Sequence, residues 1–96
     1  MKPSQALDTH RADIRRVVAA NHATNVRVFG SVLHQTDTND SDLDLLVDPT
    51  TDTTLLDIAR IQRQLQTLLG ITVDVLTPKA LPKSFRDRVL AEAIPV

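Results

Sequence analysis

Apolar side chains at helical spacing open the chain. Leu7, Ile14, Val17 and Val18 fall on one stripe, while Arg11, Asp13, Arg15 and Arg16 lie largely off it, so a helix is predicted over residues 4–21. Ser4, following Pro3, stands as its N-cap, and Asn21-His22 with Thr24-Asn25 as its exit. Val26 to Phe29 is a β-branched and aromatic run stopped by Gly30, which predicts a strand. Residues 31–41 begin as a short helical turn and then become a polar loop. Leu43 to Val47 is the second strand, ended by Asp48-Pro49 because proline cannot continue a central ladder.

The strongest helical pattern follows. Leu55, Ile58, Ala59, Gln62, Leu65 and Leu69 recur at helical spacing, and Leu56, Ile61 and Leu68 widen that apolar face. Thr54 and Asp57 supply capping residues at its start, and Gly70 suits a left-handed C-cap. Ile71 to Leu76 is a third strand, closed by Thr77-Pro78. A last helix over Leu81 to Ala93 buries Leu81, Phe85, Val89 and Ile94. Helices and strands alternate, so the fold class is α/β: a small mixed sheet of three or four strands flanked by helices, as one domain over residues 1–96.

Composition narrows the function. A net charge of −1 and the absence of Trp and Tyr leave neither a phosphate-tracking surface nor stacking platforms, so no direct nucleic-acid partner is expected. A local basic patch at Lys79, Lys83, Arg86 and Arg88 reads as the solvated face of the last helix. Without cysteine there are no disulfides, thiolate metal sites or Cys nucleophile. No apolar run approaches the ~20 residues that span a bilayer, and no signal-peptide pattern opens the chain, so a cytoplasmic protein without membrane contact is expected.

The chemistry lies in the carboxylates. Asp42 and Asp44, two apart on a strand, point to one face about 6.5–7 Å apart at the backbone, where they can share a cation or a metal pair. A bare D-x-D is also the wet entrance of many strands, but Leu46 continues the same face and makes it apolar farther along. Gly30-Ser31, between a strand and a helical turn, offers backbone N–H groups and a hydroxyl to phosphate oxygens. Asp74 interrupts the apolar strand Ile71–Leu76; there it is a metal ligand and proton acceptor beside the other two, or an edge residue facing solvent. Asp37-x-Asn39-x-Ser41 imitates a calcium loop, but Asp42 and Asp48 stand where that loop needs Gly and Glu. His10, His22 and His34 have no metal-type spacing, and Ser31 lacks the elbow of a serine hydrolase.

Gly30-Ser31, ten residues, then Asp42-x-Asp44 followed by Leu-Leu-Val resembles the signature of the polymerase-beta-like nucleotidyltransferase superfamily, most closely its minimal members, the MNT-type antitoxins encoded beside HEPT-type toxins. The resemblance runs over nearly the whole chain, including Val73-Asp74-Val75-Leu76-Thr77-Pro78 and Arg88 to Ile94. It implies an enzyme that transfers AMP from ATP, with Mg2+, to a tyrosine hydroxyl of a partner toxin and forms a hetero-oligomer with it. By position, Asp42, Asp44 and Asp74 would hold the metal and carry catalysis, and Gly30 and Ser31 would hold the triphosphate. The alternatives are an antitoxin of the same fold that only binds, or a small-molecule nucleotidyltransferase. One departure stands out: many members read Gly-Ser-Arg-x-Arg-Gly where this chain reads Gly30-Ser31-Val32-Leu33-His34-Gln35. The cations that could grip phosphates bidentately are missing from the turn. The size of the chain also favours a folded protein as acceptor, able to supply the wall that a further domain provides in larger relatives.

Overall fold

A computed structural model describes residues 1–96. In chain order the elements are α1 (Pro3–Thr9), α2 (Arg11–Ala20), β1 (Ala23–Phe29), α3 (Gly30–Leu33), β2 (Leu43–Pro49), α4 (Leu55–Leu69), β3 (Val73–Leu76), a 3-10 turn (Pro78–Ala80), α5 (Lys83–Glu92) and β4 (Ile94–Pro95). The four strands form one mixed sheet in the order β3-β2-β1-β4, with β1 antiparallel to β2 and β4 and with β2 parallel to β3. The α/β expectation holds.

Alternation along the strands divides the core between the two sheet faces. Leu43, Leu45 and Val47 of β2, Val73 and Val75 of β3 and Val28 of β1 point to one face, where they pack with Ile14 and Val18 of α2 and Ile61 and Leu65 of α4. Phe29 and Leu46 point to the other, under Leu81 and Val89. That second face is covered by α5, and it is the face that carries the carboxylates.

Four expectations need correction. The first helix is two: His10 leaves helical geometry at φ −120° and ψ 23°, and its imidazole Nδ1 meets Asp13 at 3.0 Å. The bend lets Ala6 and Leu7 reach the core from one direction and Ile14 and Val18 from another. Ser4 is not the N-cap; Pro3 is the first helical residue, and the Ser4 amide donates to Asp37 Oδ2 at 2.9 Å. Asp37, met above in a false calcium pattern, is thus a long-range cap for α1. On α4, Leu55 is 89% exposed, and Leu56, Ala59 and Leu68 also face outward, so the buried stripe is Asp57, Ile61, Leu65 and Leu69. Last, Ile94 is exposed and belongs to a strand rather than to the final helix, pairing with Val28.

The caps of α4 form as expected. The Asp57 amide donates to Thr54 Oγ1 at 3.2 Å and the Thr54 amide to Asp57 Oδ2 at 2.9 Å, while Gly70 closes the helix at φ 69°. No helix is long and apolar enough to cross a membrane.

Candidate active site

Three elements meet at one end of the sheet. Strand β1 ends at Phe29, which lies opposite Asp44 on β2, and the chain then turns at Gly30 into α3. Gly30 has φ +74°, a left-handed conformation that L side chains rarely adopt. A Cβ placed there would lie 2.2 Å from Asp44 Oδ2, so the Asp44 carboxylate rests directly against bare backbone. Glycine is required twice over, by conformation and by space.

Asp44 in turn is the register partner of Asp74 on the parallel strand β3. Partners in adjacent parallel strands project to the same face, about 4.8 Å apart at the backbone. Asp74 is exposed and β3 is the sheet's edge strand, so the residue is at once solvent-facing and beside Asp44. Asp42 is exposed just ahead of β2, two residues from Asp44.

The electrostatics report this crowding. Burial pushes the Asp44 carboxyl up from 3.8 to about 6, and the charges of Asp74 and then Asp42 push in the same direction. The three stand as neighbours, not as a closed ligand set: no three His, Asp or Glu side chains converge as a ready metal site. The donor set nevertheless fits a hard divalent cation, because it is all carboxylate oxygen, carries uncompensated negative charge, and leaves Asp42 and Asp74 open to solvent.

The turn itself is short. After Gly30 the His34 amide donates back to the Gly30 carbonyl at 3.1 Å, and the first amides of such a turn have no intrahelical acceptor. Ser31 is half-buried on this turn and Val32 is buried in the core. All five predicted residues therefore lie around the Gly30 turn and the adjoining ends of β2 and β3. His10 and His22 are occupied elsewhere, with Asp13 and Asp57, and His34 pairs with Glu92 beside the turn.

Sequence reasoning missed the approach of α5. His34 and Gly30 face Phe85, Arg88 and Glu92 across a cleft of about 180 Å³. A signal was present in the Arg88 and Glu92 spacing, but nothing in the sequence says that this helix packs against the turn.

A mixed sheet that sets neighbouring carboxylates against a glycine turn defines a nucleotidyltransferase domain. The chain belongs to the polymerase beta nucleotidyltransferase family, whose domain matches residues 13–96. Among its relatives is a Methanocaldococcus jannaschii protein provisionally named a protein adenylyltransferase, 38% identical over 69 residues that cover 72% of this chain and 74% of that one. The protein adenylyltransferase MntA of Thermococcus cleftensis is 30% identical over 88 residues, covering 92% and 86%. A solved structure provisionally described as a minimal nucleotidyltransferase superposes with a TM-score of 0.86 at 42% identity, over 97% of this chain and 95% of that one. The MNT antitoxin bound to a tri-AMPylated HEPN toxin of Shewanella oneidensis shares the fold, with a TM-score of 0.68 at 14% identity over 92% and 69%.

Proposed function

We propose that the protein is a cytoplasmic antitoxin that transfers AMP from ATP to a tyrosine hydroxyl of a HEPT-type toxin and remains bound to it. The observation that carries this reading is the register of Asp44 on Asp74 with Gly30 pressed against Asp44. The names of the relatives supply the reaction class, and the structural neighbour bound to an AMPylated toxin supplies the kind of partner.

In this reading Asp42, Asp44 and Asp74 hold magnesium. The ion, when bound, neutralises charge developing on the phosphates. Gly30 and Ser31 offer backbone donors and a hydroxyl to the triphosphate, and the missing side chain at Gly30 allows close approach. Asp74, on the open edge, receives the proton of the attacking tyrosine hydroxyl. The tyrosine oxygen then forms a bond to the α-phosphorus, the α–β bridging bond breaks, and pyrophosphate leaves.

A second reading has its own support. The turn carries no arginine at Val32 or His34, and an antitoxin that neutralises by binding alone would not need one. The experiment that separates the two incubates the protein with labelled ATP, magnesium and the product of the neighbouring gene. Mass spectrometry of that product should show a gain in multiples of AMP on a tyrosine. The double variant Asp42→Asn with Asp44→Asn should abolish the gain and the neutralisation together. Neutralisation that survives this variant would establish binding alone, and transfer to a free alcohol but to no protein would make the acceptor a small molecule.

A further inference from the structure

A nucleoside triphosphate would bring several negative charges to a place already holding three aspartates. Between Gly30 and Gln35 the turn supplies no Lys or Arg, and Val32 is turned into the core. Two other arginines are committed, and Lys79 stands apart. Arg86 donates to the backbone carbonyls of Leu81 and Lys79, Arg27 pairs with Asp48, and Lys79 lines a separate hollow with Pro49, Thr77 and Pro78.

Arg88 differs. It stands on α5 across the cleft of about 180 Å³ from Gly30 and His34, with its side chain 74% exposed. Its Nε lies 3.6 Å from Glu92 Oε1, beyond hydrogen-bond range, while Glu92 Oε2 is 2.7 Å from His34 Nε2. A long, weakly held guanidinium therefore lines the same cleft as the glycine of the turn, on a helix fixed to the sheet through Val89 and Phe85.

We propose that Arg88 grips the β- and γ-phosphates of the nucleotide, replacing from α5 the cation absent from the turn. This rests on the nucleotide reading above. The guanidinium would leave its loose contact with Glu92 and make paired hydrogen bonds to phosphate oxygens, a geometry that a lysine cannot reproduce in full.

The test titrates the full chain, with magnesium, using mant-ATP and mant-AMP, for the unaltered protein, Arg88→Gln and Arg88→Lys. Circular dichroism melts check that both variants fold, as expected for so exposed a side chain. Arg88→Gln should weaken mant-ATP binding by about 10- to 100-fold and leave mant-AMP binding within about twofold, while Arg88→Lys falls between. Equal loss for the two nucleotides, or none for mant-ATP, would overturn the role of Arg88 and leave the nucleotide site standing. Failure of the unaltered chain to bind mant-ATP would overturn the nucleotide reading itself, and this role with it.

Discussion

Asp44 concentrates the conflict between stability and chemistry in one side chain. Its carboxyl, raised from 3.8 to about 6, keeps its proton in the folded chain at pH values where the unfolded chain has released it. Between about pH 4 and pH 6 the folded state binds more protons, so the stability of the metal-free protein falls as pH rises through that window and stays lower above it. Asp44→Asn removes the penalty. At pH 7 it should stabilise the metal-free fold by about 1–2 kcal/mol, the full shift being trimmed by solvent screening, while AMP transfer drops to background. Thermal melts in EDTA check this: the gain should be clear at pH 7 and vanish near pH 4, and an equal gain at both would implicate something other than the charge. Gly30 and Gly70 make a matched pair at the same scale, with φ of +74° and +69°. Gly70→Ala meets nothing within 4 Å and should cost about 1 kcal/mol of conformational strain, with transfer per folded molecule unchanged. Gly30→Ala adds the collision with Asp44 Oδ2 to that strain, and nucleotide binding should be lost as well. If the two variants bind nucleotide equally well, the close approach at Gly30 has no function.

Elements were legible where the signal was local. The capping residues of α4, its glycine stop and the three main strands could be read because each depends on neighbours within a few positions. What escaped was decided by distant partners. The cap on the Ser4 amide comes from Asp37, 33 residues away on a loop that composition alone reads as featureless. The pairing of Ile94 with Val28 needs the whole chain to have folded first. On α4 the helical spacing puts Gln62 in the apolar stripe, but its side chain serves the neighbouring strand. Its Oε1 accepts from the Val75 amide at 3.1 Å, and Gln66 Oε1 accepts from the Val73 amide at 3.1 Å. Two glutamines one turn apart thus satisfy the outward amides of an edge strand, which protects β3 from unwanted pairing. Gln66→Leu, similar in size, should leave the Val73 amide unpaired and cost about 1–3 kcal/mol in urea unfolding. Its amide should also lose hydrogen-exchange protection; protection equal to that of the unaltered protein would show that solvent replaces the glutamine.

At the scale of the molecule, β2 assigns its residues to two jobs by alternation alone. Leu45 enters the larger core with Val28, Ile61 and Val75, whereas Leu46, its neighbour, enters the smaller core with Phe29, Leu81 and Val89, on the face of Asp44. The shared face of the candidate site was legible from the sequence because a period of two puts Asp42, Asp44 and Leu46 on one side. The placing of Asp74 opposite Asp44 was not, since register between strands is set by the packing of both. An aspartate inside an apolar strand reads either as a metal ligand or as an edge residue facing solvent; Asp74 is exposed on the edge strand and also lies beside Asp44. The division predicts that two equally buried leucines fail differently. Leu45→Ala and Leu46→Ala should each cost about 2–5 kcal/mol, since both side chains are fully buried. Leu46→Ala withdraws support from Phe29 and from α5, so the cleft between α5 and the Gly30 turn loosens. The KM for ATP of the folded fraction should rise several-fold in Leu46→Ala and stay unchanged in Leu45→Ala, measured at a temperature where both remain folded. Equal KM values would mean that α5 holds its place without the smaller core, and that the carboxylate face is not mechanically separate from the rest of the sheet.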